Sequence, residues 1–313
     1  MRLKIVLETA NKIRRLEVQG ARNIAIAAVK AVEAMATQVE ARSKEDFLKI
    51  LYNARDILFA SRVTEPLMRN AIRRIIAKVK EASEDNVETI REVISTAAKE
   101  FLKDLDKSGE LIAEIGAKRI RDKAVVFTHC HSSTVVNILK RAKDQGKSFE
   151  VICTETRPLF QGRITAGELV EAGIKTTLIV DSAARFFMNE ADIVIVGADA
   201  ITSEGNVVNK IGTSTVALIA KEARTPFYVA SELLKFDPET MYGDYEKIEE
   251  RSPEEIWGNP PKTLTIRNPA FDVTRREFIH GIICEEGIIS PHSIVEVVRR
   301  RYPWVLSSSL PHF

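Results

Sequence analysis

Cysteine is scarce in this chain: Cys130, Cys153 and Cys284 are the only three in 313 residues. An odd, sparse set in a large chain excludes a disulfide scaffold, and no Cys-x-x-Cys or Cys/His cluster has zinc-site spacing. Glycine (14) and proline (11) are too few for a collagen-like or low-complexity protein. No apolar run approaches the roughly 18 residues of a membrane span. Met1-Arg2-Leu3-Lys4-Ile5 is followed by charges rather than a signal-peptide core, so a cytoplasmic, reducing setting is expected. Charge of one sign is lacking too. Lys plus Arg (46) nearly balances Asp plus Glu (44), leaving +2 and no field for non-specific nucleic-acid binding. Glutamine is rare (Gln19, Gln38, Gln145, Gln161) beside dense Lys, Arg and Glu, a composition in which ion-pair networks gain value with temperature.

What is present is apolar surface. At 45% hydrophobic residues the chain has enough to offset its ordering entropy, which excludes disorder. The length allows one large or two ordinary domains. Residues 1–120 read as helical. Residues 25–32 are strong helix formers, and Ser43 before Lys44-Glu45-Asp46 has the character of an N-cap. Leu67, Ala71, Ile75 and Val79 recur every four residues, and 86–106 repeats the pattern. Within Ser61-Arg62-Val63-Thr64-Glu65-Pro66 the proline ends one helix and suits the first turn of the next.

From 121 to 313 the period changes. Apolar runs at 124–128, 149–154, 176–180, 193–196, 227–230 and 263–266 are mostly unbroken, as in strands covered on both faces of a parallel sheet. Helical stretches at 134–145, 166–172, 183–190 and 213–223 separate them. The alternation predicts an α/β fold of βαβ units, with any ligand at the carboxyl ends of the strands.

Polar and ionisable residues follow five of these strands, in 128–134, 155–163, 181–182, 197–213 and 231–237. A purely structural sheet does not need them there. Cys130 lies between a strand and a helix. It is either a small buried hydrophobe or a nucleophile whose pKa the helix terminus lowers, with His129 and His131 beside it. Ser132, Ser133 and Thr134 offer hydroxyls and N–H groups to an anion, or simply cap the helix. Asp199 ends an apolar strand, where desolvation would raise its pKa into acid–base range; a turn former is the other reading. Arg22, Arg62, Arg157, Lys210 and Lys235 sit in loops or at strand ends and suit phosphate, each against the default of solvated charge. Arg73-Arg74 and residues 299–301 read as solvated faces, and Cys153 and Cys284 as packing residues. No Gly-rich nucleotide loop and no convincing metal set occurs, so neither cofactor nor metal is expected.

Taken together, Thr128-His129-Cys130, Glu155-Thr156-Arg157-Pro158-Leu159-Phe160-Gln161-Gly162, Gly197-Ala198-Asp199 and Asn209-Lys210-Ile211-Gly212-Thr213 resemble a known superfamily. It joins methylthioribose-1-phosphate isomerases, archaeal ribose-1,5-bisphosphate isomerases and the regulatory subunits of translation initiation factor 2B. The resemblance implies a helical N-terminal domain (1–120) and a Rossmann-like catalytic domain (121–313) with a mostly parallel sheet flanked by helices. It also implies homo-oligomers, dimeric or hexameric. Retained Cys130 and Asp199 favour an enzyme over a non-catalytic regulatory subunit. Cys130-His131-Ser132-Ser133 departs from the Cys-Asn-Ala-Gly usual in the methylthioribose branch. Gln19-Gly20-Ala21-Arg22 likewise departs from that branch's Arg-Gly-Ala.

The chain is therefore most similar to the ribose-1,5-bisphosphate isomerases of archaeal AMP salvage, with a methylthioribose-1-phosphate isomerase or a regulatory subunit as the alternatives. That similarity implies Cys130 as thiolate base and Asp199 as acid. It implies Gly20, Ala21, Arg22, Arg62, Ser132, Ser133, Thr134, Arg157, Asn209, Lys210 and Lys235 around a sugar bisphosphate, and AMP as a candidate effector. Five cations around one monophosphate would leave positive charge uncompensated; two phosphates would balance it.

Overall fold

The computed structural model describes residues 3–62, 64–243 and 248–307; Met1, Arg2 and Val63 of the motifs above lie outside them. Five helices come first: α1 Lys4–Arg14, α2 Ala21–Gln38, α3 Lys44–Phe59, α4 Pro66–Glu81 and α5 Val87–Ala117. Local chemistry sets their ends. Ser43 accepts the Asp46 N–H, Asn86 accepts the Glu88 N–H, and Pro66 occupies the first turn of α4. Leu67, Ala71, Ile75 and Val79 are all fully buried, so the four-residue spacing is the packed face of α4. Each large aliphatic side chain there contributes about 1.5–3 kcal/mol by leaving water. α5 runs past the expected 106 to Ala117, because Ile112, Ala113 and Ala117 continue its buried stripe.

The second part alternates β1 Val125–Thr128, α6 Ser133–Asp144, β2 Glu150–Thr154, α7 Gln161–Glu171, β3 Lys175–Ile179, α8 Ala184–Phe187, β4 Ile193–Val196, β5 Ala200–Ile201, β6 Val207–Lys210, α9 Thr213–Ala223, β7 Phe227–Ala230, β8 Phe271–Thr274, β9 Gly281–Cys284, β10 Gly287–Ile289, α10 Ile294–Arg301 and α11 Pro303–Ser307. Seven strands form one sheet in the order β10-β9-β7-β4-β1-β2-β3, parallel except for β10. The chain winds from β1 outward through β2 to β3, then crosses back to β4 on the other side of β1. The β1/β4 boundary is thus the point where strand order reverses, and a crevice opens there. β5, β6 and β8 form a small antiparallel sheet beyond the end of β4.

Three sequence expectations are corrected. Residues 263–266 form a loop rather than a strand, with Leu264 exposed. The stretch 183–190 is a short α8 flanked by 3-10 turns. Arg73 is no solvated charge: it is mostly buried, pairs with Glu239 and lies over the Phe59 ring. Cys153 and Cys284 are fully buried, as packing residues should be. One apolar core joins α1–α5 to the sheet, running from Val6 through Phe127, Val194 and Phe227 to Val305. No helix among the described residues is long and apolar enough to cross a membrane.

Candidate active site

The loops after β1 and β4 flank the strand-order reversal, and there a cavity of about 400 Å³ opens. Its wall contains Cys130, Ser132, Ser133 and Thr134 from the β1 loop and Asp199 from the β4 loop. Asn209 and Lys210 come from the end of β6, and Lys235 from the 3-10 turn Leu233–Lys235 after β7. The helical part adds Gly20, Ala21 and Arg22 at the start of α2 and Arg62 between α3 and α4. Every site residue expected from the sequence lines this cavity except Arg157. Arg157 is exposed, stacks on Phe160 at 5.1 Å and donates to the Ile256 carbonyl at 3.1 Å.

The β1 loop is held tightly. Cys130 has φ 68°, a left-handed conformation that costs a non-glycine residue roughly 1–2 kcal/mol. Its N–H donates to Thr156 Oγ1 at 2.9 Å and its carbonyl accepts from Thr165 Oγ1 at 3.0 Å. Ser132 caps α6 by accepting the Val135 N–H. Gly197 lets the β4 loop approach, since a Cβ there would stand 2.6 Å from Ser132 Oγ. That close approach sets the β1 and β4 loops side by side.

Burial pushes the Cys130 thiol up to about 12, although the Lys210 charge and the His131 N–H pull the other way. This corrects the expectation of a thiol acidified by the helix terminus: burial outweighs the dipole and favours the neutral S–H. Asp199 moves as expected. Burial raises its carboxyl above the ordinary range, against the opposing charges of Lys235, Arg62 and Lys210. A carboxyl shifted in this direction is better suited to giving up a proton near neutral pH than an ordinary one.

The cations do not stand as a bare cluster. Arg22 pairs with Asp106 at 2.6 Å and Glu232 at 3.3 Å. Lys235 pairs with Glu232 at 3.1 Å and donates to the Ala198 carbonyl at 2.8 Å. Arg62 has Glu65 and Glu249 at 3.5 and 3.4 Å. Burial alone would raise the Glu232 carboxyl, but Lys235 and Arg22 prevail and hold it below its usual value. Of the four cavity cations expected from the sequence, Lys210 alone has no ion-pair partner among the described residues; its ammonium lies 5.3 Å over the Phe271 ring. The expected uncompensated positive charge is therefore largely neutralised from within.

Several lining or supporting residues were missed from sequence. Arg251 also lines the cavity and pairs with Glu249 and Glu255, both at 2.8 Å. Asn268 donates to Glu255 at 3.1 Å, and Phe271 follows it at the start of β8. The run Asn268-Pro269-Ala270-Phe271-Asp272, with a turn-forming Asn-Pro and a carboxylate beside an aromatic, was the available signal. Glu65 gave none. It is fully buried, neither carboxylate oxygen has a hydrogen bond, and burial followed by the Asp199 charge pushes it up to about 8. Among the described residues no group of three His, Cys, Asp or Glu could hold a metal ion.

A profile of the initiation factor 2 subunit family matches residues 17–291. A ribose 1,5-bisphosphate isomerase of Thermococcus kodakarensis is 43% identical over 99% of this chain and 98% of its own length. A solved translation initiation factor eIF-2B of Pyrococcus horikoshii OT3 is similar at TM-score 0.80 and 34% identity, covering 91% of this chain and 97% of that one. The 5-methylthioribose 1-phosphate isomerase of the same organism is similar at TM-score 0.76 and 30% identity, covering 93% and 88%.

Proposed function

This chain belongs to the initiation factor 2 subunit family, and on that premise we propose that it is an aldose–ketose isomerase converting ribose 1,5-bisphosphate to ribulose 1,5-bisphosphate. The observation that carries the reading is that Cys130 and Asp199 line one cavity with Arg22, Arg62, Lys210 and Lys235. The helical part, residues 1–120, supplies two of those cations to a catalytic part, residues 121–313. Arg157 stays a candidate contact only if its loop swings inward on binding.

The chemistry follows from the substrate. A phosphate on C1 prevents opening to a free aldehyde. Asp199, whose carboxyl is shifted toward the acid form by burial, protonates the ring oxygen and the C1–O bond opens. Cys130, ionised beside Lys210, takes the C2 proton and leaves a cis-phosphoenolate; the resulting thiol returns that proton to C1. Asp199 then accepts the 2-hydroxyl proton, and the C2 ketone is complete with both residues restored. The thiol's raised pKa means that ionisation belongs to the bound complex, with Lys210 the cation that makes it reachable. Ser133 and Thr134, at the N-terminus of α6, suit one phosphate; the cations suit the other.

The methylthioribose reading has one observation in its favour: Leu16, Leu159 and Ile164 also line the cavity and would suit a methylthio group. A competition assay decides. Ribose 1,5-bisphosphate is expected to turn over far better than methylthioribose 1-phosphate, and the reverse order would move the chain to that branch. Assembly into a homo-oligomer and activation by AMP belong to the same proposal. Sedimentation and an assay with added AMP check them.

A further inference from the structure

His129 is buried behind the cavity and belongs to neither the acid nor the base. Its Nε2 lies 2.9 Å from the Ile211 carbonyl oxygen, which can only accept, so Nε2 carries the proton. Nδ1 must then accept, and Thr154 Oγ1 donates to it at 2.6 Å. That commits the Thr154 proton, so Thr156 is the available donor across the 3.2 Å between the two hydroxyls. Thr156 Oγ1 in turn accepts the Cys130 N–H at 2.9 Å. The Ile211 carbonyl thus sets the direction of the imidazole and Thr154 bonds, and leaves the Thr156 proton for Thr154 Oγ1 or for the Thr154 carbonyl at 3.4 Å. Burial lowers the pKa of the imidazole and keeps it neutral, the form with one donor and one acceptor.

Both ends of this chain matter to the reaction. At one end Cys130 is held at φ 68°, a conformation that persists only where the surroundings over-determine it. At the other end Ile211 is the residue after Lys210. The ring reaches Ile211 because Gly212 has no side chain: a Cβ there would stand 3.0 Å from Cε1 and Nε2. We propose that His129 is a positioning residue that aims the Cys130 thiol through Thr154 and Thr156 and ties it to the loop carrying Lys210. The kinetic part of this inference rests on the isomerase reading; the geometric part does not.

The test uses the full-length protein with Cys153→Ser and Cys284→Ser, so that iodoacetamide reports Cys130 alone. Thr154→Val keeps the shape and removes the middle hydroxyl, whereas Thr154→Ser keeps it. His129→Leu removes both ring functions, whereas His129→Asn keeps an acceptor near Nδ1. Folded Thr154→Val and His129→Leu should lose about tenfold or more in kcat with KM within about threefold. Their Cys130 alkylation rate should shift by about threefold or more. The Ser and Asn variants should return both quantities to within about threefold of the parent. Parent-like kcat and alkylation in Thr154→Val would overturn the proposal. So would a Ser variant as impaired as the Val variant, or an effect on KM alone. Should His129→Leu not fold, Thr154→Val carries the test. A parent that does not turn over ribose 1,5-bisphosphate would sink the isomerase reading, while the alkylation rates still decide the positioning role.

Discussion

Behind Cys130 the cavity wall is built mainly of neutral dipoles, threonine hydroxyls, peptide groups and an uncharged imidazole, with one carboxylate, Asp181, accepting the Thr156 N–H at 2.8 Å. Behind Asp199 it is mostly ionic, with Glu232 and Glu249 interleaved among Arg62, Lys235 and Arg22, and with Glu65, pushed up to about 8, beside Arg62. Both walls bury polar groups, but they fail differently. A neutral chain fixes direction and resists changes of protonation. An ionic lattice fixes charge, and removing one partner strands the other in a medium that solvates it poorly. The division suits a reaction in which one residue must hold a small group at a set angle and the other must work beside two phosphates.

The comparison can be broken most sharply at the two reacting groups. Cys130→Ser should fold and bind substrate while turnover falls about 10²–10⁴-fold, because a hydroxyl is a far weaker base at neutral pH. Ribulose bisphosphate formation at the parent rate would remove Cys130 from the chemistry. Asp199→Asn should lose about 10²–10³-fold in kcat with little change in KM, since the amide keeps the shape but moves no proton. A drop confined to KM would make Asp199 a mere ligand.

The ionic wall is tested by Lys235→Ala and Arg22→Ala. Each removes charged contacts worth about 1.5–3 kcal/mol, so bisphosphate affinity should fall roughly ten- to a hundredfold. Lys235→Ala also leaves Glu232 buried beside one cation fewer, so its thermal stability should fall as well. An unchanged KM in both variants would mean that the cations serve only the lattice.

Titration sharpens the contrast further. Burial pushes Glu65 up to about 8 in the folded protein, against 4.5 for a free glutamate side chain. Between those values the native state binds more protons than the unfolded one, so stability falls as pH rises. The contribution is complete below about pH 4.5 and lost above about pH 8, on the order of a few kcal/mol in all. Glu65→Gln should flatten that part of the profile in denaturant titrations, and a slope unchanged in the variant would exclude Glu65 as its source. The smallest effect is expected from Arg157→Ala, whose side chain lies outside the cavity: KM within about twofold of the parent. A larger change would show that its loop closes on the substrate.

Much of this arrangement could be read from the residues alone, for reasons that differ along the chain. β4 and β7 coincide with their expected ranges because all four residues of each are buried, so the apolar run and the strand are the same thing. β9 is as long and as buried as β4, but its apolar character rests on two isoleucines between a glycine and a cysteine, and β5 has only two residues. β8 alternates around Asp272, which folds back to accept the Gly212 and Ser214 N–H groups. The β-loop motifs identified Cys130, Asp199, Asn209 and Lys210 because a strand end places its next residues at the crevice. Glu65, Glu249 and Arg251 were not legible. Their roles come from pairing across elements far apart in sequence, and a charged residue in a loop looks the same whether water or an arginine faces it.

The single core running from α1 to the last helix has a consequence for synthesis. The ribosome releases α1–α5 long before the sheet exists; α2, α3 and α5 cover most of α4, but the part that packs on the turn Leu233–Lys235 and on α11 stays open until those residues arrive. Asn70 shows the dependence: its amide, buried on α4, donates to the carbonyls of Leu234 and Phe236, both at 2.9 Å. A nascent chain halted before residue 234 would expose a sticky helical surface and an amide with nothing but water to bind. The end of the message is therefore needed to finish the packing of a helix made near its beginning.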